Sequence, residues 1–144
     1  TVNDTCQTEV DMTDTSFIDK FGADLSVDIQ PHSLTNKFLI HCSTEWEIGN
    51  ADNSVSIDFW RSISGGAESQ FIASPSDAGQ GIARIYASEN GDRGICTWSW
   101  IDAPNTLSLV AYRPSFKTWG GTGSVYWGTG INGNSLLMVQ EIVA

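Results

Sequence analysis

Apolar and polar residues take turns along this chain, in short runs. Leu25, Val27 and Ile29 alternate with Ser26, Asp28 and Gln30, and Pro31 and His32 end the run. Phe38, Ile40, Cys42, Thr44 and Trp46 share one side of a longer stretch over 37–48. Val55, Ile57 and Phe59 alternate with Ser56, Asp58 and Trp60 over 54–63. A period of two marks a strand with one face on a core, because successive side chains of extended backbone point to opposite faces. Further strand-like runs lie at 15–19, 71–73, 82–87, 95–101, 106–113, 124–127 and 135–143. In the last, Leu136, Leu137, Met138 and Val139 stand in a row, which predicts a strand covered on both faces. Helical periodicity is almost absent.

Turn chemistry separates the runs. Gly65-Gly66, the polar stretch 50–53, the Pro-, Ser-, Asp- and Gly-rich stretch 74–81 and Asp102-Ala103-Pro104-Asn105 all read as breaks. Asn90-Gly91 predicts a tight two-residue hairpin. Glycine-rich loops fall at 119–123 and 128–134. Eight to ten short strands at this spacing predict an all-β fold, a jelly-roll-like antiparallel β-sandwich. Residues 1–12 read as an extended arm or linker, and 13–144 as one sandwich domain.

The chain of 144 residues is long enough to bury a core without disulfide or metal staples. Its formal charge of −10 repels phosphate backbones, so no nucleic-acid partner is expected. No apolar run approaches the roughly 20 residues of a membrane helix, so no membrane insertion is expected. No signal-peptide pattern is visible. Cys6, Cys42 and Cys96 are three and widely spaced, which fits neither a disulfide framework nor a zinc motif. They read as small buried hydrophobes, with a Cys42–Cys96 bridge open if their strands are neighbours.

The search for chemistry returns little. His32 sits in a Pro-His-Ser turn, and His41 points to the strand face opposite Cys42, so it cannot activate that thiol. Asp11, Asp14, Asp24 and Asp28 read as a solvated face. No G-x-S-x-G, H-E-x-x-H, C-x-x-C or calcium-loop pattern occurs. No catalytic residue, metal ligand or cofactor is therefore expected. The six tryptophans are a different signal. Most read as core or interface, but loop aromatics offer large contact area at low entropy cost. Trp119, Tyr126, Trp127 and Trp60 are the candidate contact residues, Trp119 first among them.

Four stretches in order carry a resemblance: TDTSFID at 13–19, LSVDIQPHSLTNKFLI at 25–40, SWIDAPNTLSLVAY at 99–112 and NSLLMVQEI at 134–142. Together they resemble a family of tail-fibre and other virion-surface β-domains of tailed bacteriophages, many of them marine. Each motif is only a strand with its turn; their order and spacing carry the match. The resemblance implies a non-enzymatic, jelly-roll-like virion protein, usually a homotrimer. It implies structural roles for the turn positions Pro31, Asn36, Lys37, Asp102, Ala103 and Pro104, and Arg61 also matches a frequent position of the family. It further implies other tail or capsid proteins as partners, assembly in the host cytoplasm and a place on the particle surface. Contact with a host glycan or protein would fall in the loops around 64–94 and 119–134. Trp98 and Trp100 depart from the family pattern, as does Gln140. Two other readings stand beside this one: a capsid-decorating head fibre or cement protein, and a secreted carbohydrate-binding β-sandwich.

Overall fold

The computed structural model describes residues 1–6, 10–12, 25–49, 54–70, 81–119, 125–127 and 135–143. Within them the chain forms β1 (Val2–Cys6), β2 (Val10–Met12), β3 (Val27–Ile29), β4 (Lys37–Ile48), β5 (Ser54–Ile63), β6 (Ser69–Gln70), β7 (Ala83–Tyr86), β8 (Asp92–Asp102), β9 (Val110–Trp119), β10 (Val125–Trp127) and β11 (Ser135–Ile142). All pairings are antiparallel. The fold is an all-β sandwich of two sheets. Neighbouring principal strands run β1-β11-β4-β8 in the first sheet and β3-β9-β5-β7 in the second. Two facing four-stranded sheets are the arrangement of a jelly roll. The short strands β2, β6 and β10 add to its margins, which raises the number above the eight to ten expected.

Alternation sets the two inner faces. From the first sheet come Phe38, Ile40, Cys42, Ile48, Trp98, Leu137 and Val139; from the second, Val27, Ile29, Val55, Ile57, Phe59 and Phe116. Each fully buried side chain of this size contributes roughly 1.5–3 kcal/mol from apolar burial. Trp98 stands between the sheets, with Phe59 at 5.8 Å and Phe116 at 5.8 Å and edge-on. On the same inner face, Trp46 lies against Gly94 of β8, where a Cβ would meet the indole at 3.2 Å.

Several expectations change. The stretch 1–12 was expected as an arm or linker. It is extended, but β1 pairs with β11 from Val2 opposite Val139 to Cys6 opposite Ser135, and β2 pairs with β10. Asn90-Gly91 does not close a hairpin. β7 belongs to the second sheet and β8 to the first, so this turn carries the chain across the sandwich. Gly91 has φ of 76° while Asn90 keeps a negative φ, and the Asp92 carboxylate holds the turn by accepting from the backbone N–H of Ser88 and Glu89. β11 is not covered on both faces: Leu137 and Val139 are buried, but Leu136 and Met138 are half-buried. Conversely, Ser56 and Asp58 lie on the outer side of β5 yet are fully buried. The possible strands at 15–19 and 71–73, the polar turn at 50–53 and most of the 74–81 loop lie outside the described residues.

Candidate functional site

The four aromatic candidates do not gather on one strand or sheet. Trp60 is half-buried near the end of β5, opposite Arg113 and Gln70. Its indole N–H is buried without a hydrogen-bond partner among the described residues. Trp119 is the last residue of β9, opposite Ser54 at the other end of β5, and so belongs to a strand rather than to the loop that follows. Tyr126 and Trp127 lie in β10 of the other sheet, opposite Glu47 and Trp46 of β4. The side chains of Trp119, Tyr126 and Trp127 lie outside the described residues.

The described surface has another feature that alternation did not reveal. β4 is flanked by β8 along one side and by β11 and β10 along the other. Among the described residues that leaves β8 at the margin of the first sheet. On its outer face Ile95 is 71% exposed and Ile101 55%; Trp100, on the other face opposite Ile40, is 40% exposed at the edge. Leu39, Ser99, Trp100 and Ile101 line a groove of about 440 Å³ along this margin. Next to it, His41 Nδ1 lies 2.8 Å from Ser99 Oγ. A serine beside a histidine is a nucleophile next to a base. Activation also needs a group that orients the base and donors for an oxyanion. Among the described residues no carboxylate bonds to the His41 ring, so the contact reads as a cross-strand hydrogen bond. His41 does turn away from Cys42, as the period of two requires.

Two polar clusters tie separate strands together. Asp102 ends β8 and points into the sandwich. It accepts from Arg61 Nη1 at 2.8 and 2.9 Å and from the Tyr112 hydroxyl at 2.8 Å. Arg61 and Tyr112 are paired residues of β5 and β9, so this cluster joins the two sheets. Burial, then the neighbouring carboxylate, pushes the Tyr112 phenol well above its ordinary value, so it stays a donor. At the far end of β11, Glu141 accepts from Asn36 Nδ2 at 2.8 Å, from the His32 backbone N–H at 2.8 Å and from the His32 ring. Those contacts, Asn36 foremost, hold its carboxyl at about 2. Cys42 faces Trp98 in register while Cys96 faces Thr44, so the two thiols are diagonal neighbours and both are free. Burial raises both thiol pKa values, Cys96 to about 11.

No family model and no curated protein matches the sequence. Among solved structures, the chain is similar to one titled as the structure of infectious bursal disease virus, Gx strain. The identity is 9% and the TM-score 0.42, and the match covers 99% of this chain and 34% of the other. The chain thus spans about a third of the length of that neighbour. Among the described residues no three or more His, Cys, Asp or Glu side chains gather as metal ligands would. Among the same residues no helix is long and apolar enough to cross a membrane.

Proposed function

We propose that this chain is a non-enzymatic structural β-domain of a virus particle, and more finely a trimeric tail-fibre or tail-tip domain of a tailed phage that contacts its host through loops. One observation carries the reading. The stretches that resemble the phage family fall on the parts of the frame that lock it together. Within 25–40, Asn36 is buried and ties the start of β4 to Glu141 of β11. Within 99–112, Asp102 and Tyr112 join the sheets with Arg61. The last stretch is β11 itself, whose ladder to β4 runs from Leu136 to Ile142. Residues that serve a frame in this way fit a building block, whose recurrent positions are turns and anchors rather than acids, bases and nucleophiles. A decorating head fibre or cement protein would use the same frame.

The test is an antibody against the purified chain, applied to intact particles of the source phage and viewed by electron microscopy. Label on tails is expected. Label on heads moves the assignment to the decorating role, and a chain absent from purified particles overturns the virion reading. Light scattering of the purified chain is expected to give three copies or a multiple of three. Any other copy number counts against the trimer.

A further inference from the structure

We propose that the open margin of β8 is a contact surface for a second copy of this chain, the two β8 strands pairing antiparallel about a two-fold axis at Trp98. β8 spans Asp92–Asp102, and among the described residues it is hydrogen-bonded to β4 only. A long strand with unpaired N–H and C=O groups templates another strand, and natural edges are usually blunted by charge, proline, a bulge or brevity. From Gly94 to Ile101 this edge has neither charge nor proline. Its charges sit at the ends, where Arg93 lies 3.4 Å from Glu47 and Asp102 is bound to Arg61.

The identity of the occupant follows from the order of residues along the strand. A two-fold contact brings a surface against itself, so the strand must complement its own reverse. Residues directly opposite in an antiparallel pair share a face, so registers that keep both cores on one side match outward residues with outward residues. Ile95 and Ile101 each stand three positions from Trp98. With Trp98 opposite its own counterpart, Ile95 meets the partner's Ile101 and Thr97 meets the partner's Ser99. The second exposed isoleucine pair follows by symmetry. A register centred on Thr97 would set Ile95 against the partner's Ser99. It would also set Asp92 against the partner's Asp102, and like charges directly opposite are unfavourable. One centred on Ser99 would carry Ile95 past the strand end, to the partner's Ala103. Of these three registers, the one on Trp98 covers the exposed isoleucines with each other and places no like charges in opposition.

This inference does not rest on the virion reading. It concerns a two-fold contact, whereas a trimer forms around a three-fold axis; both can occur in one assembly. Light scattering on the full chain over a concentration series tests it, comparing native protein with Ile95→Lys/Ile101→Lys. The native particle is expected to reach twice the mass of the variant particle, with the circular dichroism spectrum of the variant unchanged. Equal masses at every concentration overturn the proposal, whether both are monomers or both are trimers. So does a native edge that is occupied only by a different protein.

A second measurement reads the register and does not depend on the lysine variant folding. Opposite positions on antiparallel strands lie about 4.5–5.5 Å apart at Cα, inside the range a disulfide spans. Ile95→Cys and Ile101→Cys chains are oxidised separately and mixed, and the linked peptides are identified by mass spectrometry. A 95–101 link is expected in the mixture, without 95–95 or 101–101 links in the separate samples. Same-position links at equal yield, or no link in the mixture, overturn the proposal.

Discussion

Asp102 brings a negative charge into the space between the sheets, and Arg61 and Tyr112 meet it there. Taking away one side of a buried ion pair leaves the other charge desolvated without that partner. Because a quarter of the Arg61 side chain is exposed, the cost belongs at the lower end of the usual range. Asp102→Ala is therefore expected to lose about 3 kcal/mol. Tyr112→Phe removes one hydrogen bond to a charged group and is expected to lose about 1.5 kcal/mol. Urea unfolding measures both, with lower midpoints and an unchanged slope. A greater loss for Tyr112→Phe than for Asp102→Ala would show that the phenol, not the ion pair, secures the joint. Glu141 makes a prediction about acid. Its carboxyl is held at about 2 in the fold against an ordinary 4.5, so between those values the unfolded chain binds the proton and the fold does not. The stability it adds is complete above about pH 4.5 and is lost as pH falls toward about 2. The advantage of the native chain over Glu141→Gln should shrink across that window. A difference that stays constant would show that Asn36 and His32 do not shift the carboxyl.

At the scale of strands, β4 and β8 carry two of the three cysteines, Cys42 and Cys96. Cys42 is fully buried, and burial raises the pKa of both thiols, so the reactive thiolate is scarce. A disulfide reagent at about pH 8 should leave Cys42 and Cys96 unmodified in the native protein and react with both in denaturant. Fast reaction of Cys96 in the folded state would mean that the β8 end of the sheet opens locally. These strands also show what one sequence can reveal. Alternation correctly sorted Phe38, Ile40 and Cys42 on β4, and Val55, Ile57 and Phe59 on β5, because the pleat ties sequence parity to face. Parity says which face a side chain takes, not whether that face is covered. Ser56 and Asp58 are therefore buried on the polar side of β5, while Leu136 and Met138 are only half-buried where the apolar run predicts cover. Asn90-Gly91 was legible as a turn, but sheet membership is a long-range property, and the turn crosses the sandwich. The Arg61–Asp102, His41–Ser99 and Asn36–Glu141 contacts join residues 41, 58 and 105 positions apart, which no local pattern encodes. The margin at β8 became visible only when the strand order was known. Asn36, Arg61 and Asp102 each tie separate strands together, a role that only the strand order makes visible.

For the molecule as a whole, charge sets the response to salt. A formal charge of −10 on a compact chain opposes folding through self-repulsion. Raising NaCl from about 0.01 M to about 1 M shortens the screening length from about 30 to about 3 Å. The thermal midpoint is expected to rise over that range. A midpoint that falls would show that surface ion pairs such as Arg113–Glu68, at 3.0 Å, outweigh the repulsion. The position of β4 has a consequence of its own. It has a strand on each side for nearly its whole length, so its amides point into ladders in both directions. In deuterated water β4 should be the last segment to take up label, exchanging only when the whole sandwich opens. β8 should behave differently, with a two-residue rhythm: amides aimed at β4 slow, those aimed outward fast. When two copies meet along that margin the rhythm should vanish, and the loss of alternation would report assembly amide by amide.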